Sequence, residues 1–204
     1  RIDNVSFRDN FELNFRSSKT SSKVCCAAYG KRSNLDIKWK RHFLAAVNKR
    51  LDNYVGVKYH IKTDWNKNVI GLHNFKNGYC GISKIEGDVY CLCYMTKAEN
   101  LKGCANDIRQ LEETILCRNP HLQKIFLNSE ICDSFPVTIS QINFNKKTQI
   151  EEHILMLGDS AGMITPLCGN GMSIALHTAK IAASLITDFL SGKMSRSQME
   201  DAYW

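Results

Sequence analysis

Apolar positions along this chain recur with two periods, one of two residues and one of three to four. Phe11, Leu13 and Phe15 alternate strictly with polar residues after Val5 and Phe7, so Val5 to Arg16 predicts two short strands. The polar SSKTSSK predicts a turn, and VCCAAYG, from Val24 to Gly30, a short buried strand ending in glycine. From Tyr54 to Met95 the pattern is β throughout. YVGVKYHI sets Val55, Val57, Tyr59 and Ile61 on one face, and VIGLHNF, GYCGISKI and VYCLCYM follow, separated by the turn signals DWNKN, KNG and EGD. This predicts a meander of about four antiparallel strands.

Helical spacing takes over from Leu101 to Cys117. Asn119 as cap and Pro120 at the first helical position predict a shorter helix over NPHLQKIF. FPVTIS predicts a strand, as does the continuous apolar run HILMLGD from His153 to Asp159. A long helix is predicted over Asn170 to Leu190, where Met172, Ala175, Leu176, Ala179, Ala183, Ile186 and Leu190 form an apolar stripe. Gly192 stops it, and Ser195 with Gln198 forms a capping box for a last helix carrying Tyr203 and Trp204.

Composition narrows the class. A chain of 204 residues with 44% hydrophobic and 23% charged residues is an ordinary globular protein, one large domain or two small ones. The net charge of +7 includes one dense basic stretch, DIKWKRHF from Asp36 to Phe43. It reads as a solvated basic surface or a contact for acidic lipid or a phosphate-bearing ligand. No nucleic-acid motif accompanies it, so no nucleic-acid partner is expected. The nine cysteines include no CxxC and no Cys/His zinc spacing. Most lie in apolar runs, so they are expected to be reduced core thiols of a cytoplasmic protein, with no metal site. No signal peptide is visible, and the longest apolar candidate span, Ile174 to Leu190, is interrupted by His177, Lys180 and Asp188.

Candidate chemistry concentrates in LGDSAGMITPLCGNGMSIALHTAKIA, from Leu157 to Ala182. The order strand, glycine-rich loop, helix start brings free backbone N–H groups and a positive dipole end to one point. Gly169 and Gly171 let a planar or anionic group approach the backbone, Pro166 stiffens the loop, and Asp159 follows the strand end, where ligands sit in parallel sheets. Taken singly, each of these features is an ordinary turn. The stretch is not a dinucleotide GxGxxG, because Ile174 stands where the third glycine belongs, and no Lys-Ser/Thr follows the glycines as in a phosphate-binding loop.

In combination, GDSAGMITPLCGNGMSIA resembles the second flavin-binding motif of the FAD-dependent monooxygenase and reductase superfamily, which contains p-hydroxybenzoate hydroxylase and geranylgeranyl reductase. Gly158, Asp159, Ala161, Pro166, Gly169 and Gly171 match in order. Gly162 replaces the histidine common in the hydroxylases, which leans toward the geranylgeranyl-reductase-like branch. The resemblance implies FAD as cofactor. Gly158 and Asp159 would be cofactor-binding, with Asp159 hydrogen-bonding a ribityl hydroxyl. The backbone of Gly169, Asn170 and Gly171, with Met172 next, would face the flavin's N1 and O2 edge, and Pro166 would border the ring. Met163, Ile164 and Thr165 would lie nearby.

AAYGKRSNLD is similar to the superfamily's middle motif, with Gly30 and Ser33 in place. Tyr29 stands where an aspartate is expected and Asp36 where an arginine is expected, which weighs against NAD(P)H as a directly docking electron donor. Read without the resemblance, YGKRS is an exposed turn. The Tyr54 to Met95 meander would be the sheet over the substrate side of the flavin, with Tyr59, His73, Tyr79, Tyr90 and Cys93 as candidates for its wall.

The fold class expected is mixed α/β (α+β): part of a Rossmann-like FAD-binding domain (1–50 and 135–204) and an antiparallel-sheet substrate domain (51–134). The superfamily's GxGxxG unit is not in these residues, so with Arg1 first the chain is expected to be the C-terminal portion of a longer flavoprotein. The expected function is FAD-dependent oxidation or reduction: electron transfer, double-bond reduction or hydroxylation of a small or lipid-like organic substrate. Contact with a membrane surface or redox partner fits the same reading. A non-catalytic remnant or partner-binding module is the alternative. No catalytic side chain and no oligomeric state follow from the sequence.

Overall fold

A computed structural model describes residues 2–45, 53–142, 144–164 and 170–204, which belong to two units, 1–49 with 144–204 and 50–143. The first unit opens with β1 (Ile2–Phe7), β2 (Phe11–Phe15) and β3 (Lys19–Ser22) in one antiparallel sheet. β3 occupies the stretch whose polarity predicts a turn. It pairs Ser22 with Phe11 and Thr20 with Leu13, satisfying backbone groups of β2 at an exposed edge where apolar side chains are not required. β4 is only Cys26–Ala27, shorter than the strand predicted, and runs parallel to β12 (Ile154–Met156); β11 (Ile150–Glu151) flanks β12 on its other side.

The helices of this unit are α1 (Asn34–Lys38), α2 (His42–Ala45), α6 (Gly171–Leu190) and α7 (Arg196–Tyr203). Ser195 and Gln198 form the capping box of α7, with the Gln198 N–H donating to Ser195 Oγ at 3.2 Å. Tyr203 donates its hydroxyl to the Met156 carbonyl, so α7 locks onto β12. One small core gathers Phe11, Ala27, Ile154 and Met156; another gathers Leu155, Ala182, Met199 and Tyr203 with Leu185, Ile186 and Phe189.

α6 is buried on a different face from the one its spacing suggests. Ala182 is buried, while Met172, Ala175, Leu176, Ala179, Ala183 and Leu190 are exposed. The helix is apolar on more than one side, and β12 and α7 take the side carrying Ala182, Leu185 and Phe189. Periodicity alone does not choose between two apolar faces.

The second unit carries β5 (Tyr54–Lys62), β6 (Gly71–Phe75), β7 (Gly78–Lys84), β8 (Tyr90–Lys97), β9 (Glu130–Ile131) and β10 (Val137–Ile142). They form an antiparallel sheet in the order β10-β5-β8-β7-β6, with β9 at the end of β5. Because β10 pairs with β5, residues 135–143 lie with this sheet and not with the flavin-motif unit assigned to them from sequence. α3 (Ala98–Gly103), α4 (Ile108–Thr114) and α5 (Pro120–Leu127) cover one face, burying Val57, Tyr59, Ile61, Leu92 and Tyr94 against Leu111, Leu116 and Leu122.

The helix predicted over Leu101–Cys117 is broken. Ala105 and Asn106 take left-handed φ values of 53° and 62°, and Asp107 starts α4 afresh by accepting the Arg109 and Gln110 N–H groups at 2.8 and 3.2 Å. Asn119 caps α5 as its sequence predicts, accepting the His121 N–H at 2.9 Å.

Candidate functional site

The flavin-like motif folds as a strand end, a tight turn and a helix start. After β12, Gly158 has a φ of +57°, and a Cβ there would come within 3.1 Å of the Ala175 Cβ. Only glycine lets α6 pack this closely on the turn. The Gly158 N–H donates to Thr178 Oγ1 of α6 at 3.0 Å. Ser160 is fully buried; its hydroxyl bonds the Ala27 carbonyl of β4 and accepts the Leu157 N–H at 3.1 Å. The 3₁₀ turn Gly158–Ser160 is thus tied to β4 and to α6, with Asp159 half-buried on it.

Asn170 precedes the first turn of α6 without a side-chain cap, and among the described residues a Cβ at Gly171 would meet nothing within 4 Å. Beside this opening Met172 and Leu176 are 79% and 73% exposed. First-turn N–H groups lack intrahelical acceptors and carry the positive end of the helix dipole. A flat group with apolar faces and a negatively charged edge fits these residues. Gly158 thus packs on Ala175 and Thr178 in the second turn of α6, the helix that Asn170, Gly171 and Met172 open, with Asp159 next to Gly158 on the 3₁₀ turn. Pro166 and Gly169, with Thr165, lie outside the described residues.

Beneath the turn is a buried polar cluster that the sequence reading did not single out. Asp36, fully buried, accepts the Ser33 N–H at 2.6 Å in the capping box of α1 and also the Tyr29 hydroxyl. Arg41, 1% exposed, donates through Nη1 to Asp36 Oδ1, the Ser160 carbonyl and the Tyr29 hydroxyl at 3.0, 3.0 and 3.1 Å. Its Nη2 donates to the Thr148 carbonyl at 2.8 Å and its Nε to the Glu151 carboxylate at 3.2 Å. The motif's two departures, Tyr29 and Asp36, are thus bound to one guanidinium supplied five residues downstream. Burial and the bond to Asp36 push the Tyr29 hydroxyl up from its ordinary pKa.

Lys147 completes the cluster. Its Nζ donates to the Lys31 and Asp159 carbonyls at 2.8 and 2.7 Å and lies 4.7 Å from the centre of the Phe43 ring. Burial pulls its pKa down to about 8. Arg41 and Lys147 therefore hold two successive carbonyls, those of Ser160 and Asp159, just after the Asp159 side chain, and join the turn to the middle motif. Arg41 was hidden in DIKWKRHF, where four basic side chains read as surface. The available signal was Asp36 itself: an acid where an arginine is expected calls for a cation nearby.

In the second unit, Tyr59, Tyr90 and His73 belong to the helix-covered side of the sheet, whereas Tyr79 and Cys93 belong to the other, open side. The five wall candidates do not share a face. Tyr59 and Tyr94 donate to Glu112 Oε1 at 2.7 and 2.8 Å, and burial raises the Glu112 pKa although both bonds oppose it. His73 stacks on His121 at 5.6 Å. Burial lowers the His73 pKa, and the charge of His121 adds to that. The open face carries Gly56, Lys58 and His60 of β5, Tyr79 and Gly81 of β7, Cys91, Cys93 and Met95 of β8, and Val137 and Ile139 of β10. A Cβ at Gly56 would fall 2.8 Å from Ile139 Cγ2, so the missing side chain lets that isoleucine lie flat on the strand.

The fold recurs among solved flavoproteins. CmlS, a flavin-dependent halogenase, superposes with a TM-score of 0.76 at 15% identity, over 99% of this chain and 38% of its own. The halogenase PltM, solved with phloroglucinol and FAD, gives 0.73 at 13% identity over 99% and 45%. The flavin-dependent brominase Bmp2 gives 0.73 at 15% identity over 99% and 53%. The chain thus has the fold that these flavin-dependent halogenases share and spans about 38 to 53% of the length of these solved proteins. No curated protein matches it in sequence. The squalene epoxidase (SE) family profile matches residues 80–204, more than half of the chain and all of the flavin-like motif. This chain belongs to the squalene epoxidase family.

Proposed function

We propose that this chain supplies the flavin-edge contacts and part of the substrate wall of an FAD-dependent monooxygenase that adds oxygen to a carbon–carbon double bond of an apolar, squalene-like hydrocarbon. The observation that carries this reading is the Gly158–Ser160 turn, fixed against the second turn of α6, the helix whose first turn is open at Gly171. Asp159 would accept hydroxyl hydrogen bonds from the ribityl chain of FAD. The N–H groups at Gly171 and Met172 would stabilise negative charge on the flavin's N1 and O2 edge, with the exposed Met172 side chain beside them. Arg41 and Lys147 keep the turn from drifting by holding the Ser160 and Asp159 carbonyls. Bound FAD would supply the activation of dioxygen.

The open sheet face fits an apolar substrate. Val137, Ile139, Met95 and Tyr79 present carbon surface, while Gly56 and Gly81 keep the centre low. The family match supports oxygenation over the double-bond reduction suggested by Gly162. It also leaves the non-catalytic alternative without a favouring observation. Tyr29 and Asp36, both engaged with Arg41, support an electron donor that does not dock on the middle motif. The reading is tested by supplying squalene, reductant and isotopically heavy dioxygen to the protein that carries this chain. One heavy oxygen atom in an epoxide product is expected; a hydrogenated product, or heavy oxygen in neither product, overturns it.

A further inference from the structure

The helix-covered side of the second unit's sheet holds a buried carboxylate that belongs to none of the ion pairs of the described residues. Glu112 of α4 is 8% exposed, and its Oε1 accepts the Tyr59 and Tyr94 hydroxyls at 2.7 and 2.8 Å. Its other oxygen, Oε2, accepts no hydrogen bond among the described residues and keeps contact with solvent. A neutral acceptor would satisfy both tyrosines equally well, so the negative charge is left over. Buried charges are ordinarily paired, because leaving water without a counterion is costly.

Glu112 forms part of a cleft of about 360 Å³, the size of a small-molecule site. With Oε1 occupied, Oε2 is the oxygen left to face it. Arg109 and Glu113 of α4 and Gln123, Phe126 and Leu127 of α5 also line the cleft. Its charges are two carboxylates against one guanidinium, an excess of one negative. Phe126 is half-buried and Leu127 is 77% exposed, so α5 offers carbon surface beside the charge.

We infer that this cleft binds a small organic amine in its ammonium form, carrying one short apolar arm. The ammonium donates to Glu112 Oε2 and supplies the missing countercharge, and the arm lies on Phe126 and Leu127. An anion would meet two carboxylates, and an alcohol would bond to Oε2 without neutralising it. Arg109 already balances the second carboxylate, so a monoamine fits better than a diamine. Burial pushes the Glu112 pKa up, while the bonds from Tyr59 and Tyr94 and the charge of Arg109 pull it back. An ammonium at Oε2 acts with those bonds and favours the charged carboxylate. The site is on the side of the sheet opposite the open face, so it stands apart from the oxygenation reading.

The test uses benzylamine as the probe and benzyl alcohol, which has a hydroxyl in place of the ammonium, as its control. Calorimetric titration of the protein carrying this chain is expected to show the amine binding about tenfold more tightly than the alcohol, as a charged hydrogen bond exceeds a neutral one. Hydrogen exchange should slow within residues 108–127 when the amine is added. Glu112→Gln keeps an acceptor for both tyrosines and should abolish the preference for the amine. Leu127→Ser, on the exposed rim, should weaken both ligands alike, by about threefold to tenfold. If Glu112→Gln does not fold, the two ligands on wild type and Leu127→Ser still decide the matter. No uptake of the amine, equal affinity for amine and alcohol, a preference that survives Glu112→Gln, or protection confined to residues outside 108–127 overturns the proposal.

Discussion

The two units of this protein hold themselves together by different means. The second is a sheet of five- to nine-residue main strands, β5 to β8 and β10, with one continuous core under its helices. The first has strands as short as two residues, two small cores, a long helix largely exposed along one apolar side, and a fully buried Arg41–Asp36 pair in its middle. In the second unit, burying carbon surface dominates. In the first, geometry depends on satisfying polar groups already out of water, because a buried charge left unpaired costs more than its pair contributes. The unit that carries the flavin-like motif is therefore the one specified by hydrogen bonds.

That contrast yields a paired prediction with the largest expected effects. Arg41→Met strands Asp36 and two carbonyls and is expected to cost about 3–5 kcal/mol. Hydrogen-exchange protection should fall at Ala27 and Ile154–Ser160 while Leu92 and Tyr94 keep theirs. Leu92→Ala removes buried carbon from the sheet core, is expected to cost about 2–5 kcal/mol, and should give the reverse pattern. Equal loss of protection in both units from either variant breaks the comparison.

A smaller effect sharpens it. Lys147 has a folded pKa of about 8 against the usual 10.5, so between those values the unfolded chain holds a proton that the folded one has released. Stability should rise with pH across this window, and the contribution should be lost as pH falls through 8. Urea midpoints of the wild type minus those of Lys147→Met should show this slope. A difference that is flat over the window contradicts the burial of a charged Lys147.

What was legible in the sequence follows the same division. β5 to β8 are readable because alternation reports a half-buried strand directly. Asp159 and the glycines stood out because a backbone shaped for a ligand demands specific residue types in order. Arg41 was not, because a buried cation looks like a surface one until its partners are known, and those come from residues 29, 36, 148, 151 and 160. The break at Ala105–Asn106 was missed because helical spacing carries across a two-residue interruption when both flanking segments face the same core. The polar β3 needed only a backbone partner, which no side-chain pattern announces.

The central claim is that the Gly158–Ser160 turn and the start of α6 hold a flavin. Titration of the protein carrying this chain with FAD, followed by quenching of flavin fluorescence, tests it most directly in wild type and Asp159→Ala. Loss of a charged hydrogen-bond acceptor is worth about 1.5–3 kcal/mol, so the variant should bind FAD about 10- to 100-fold more weakly while hydrogen exchange at Ile154–Met156 stays unchanged. Equal affinity in the two proteins, or no uptake of FAD by the folded wild type, would contradict the account.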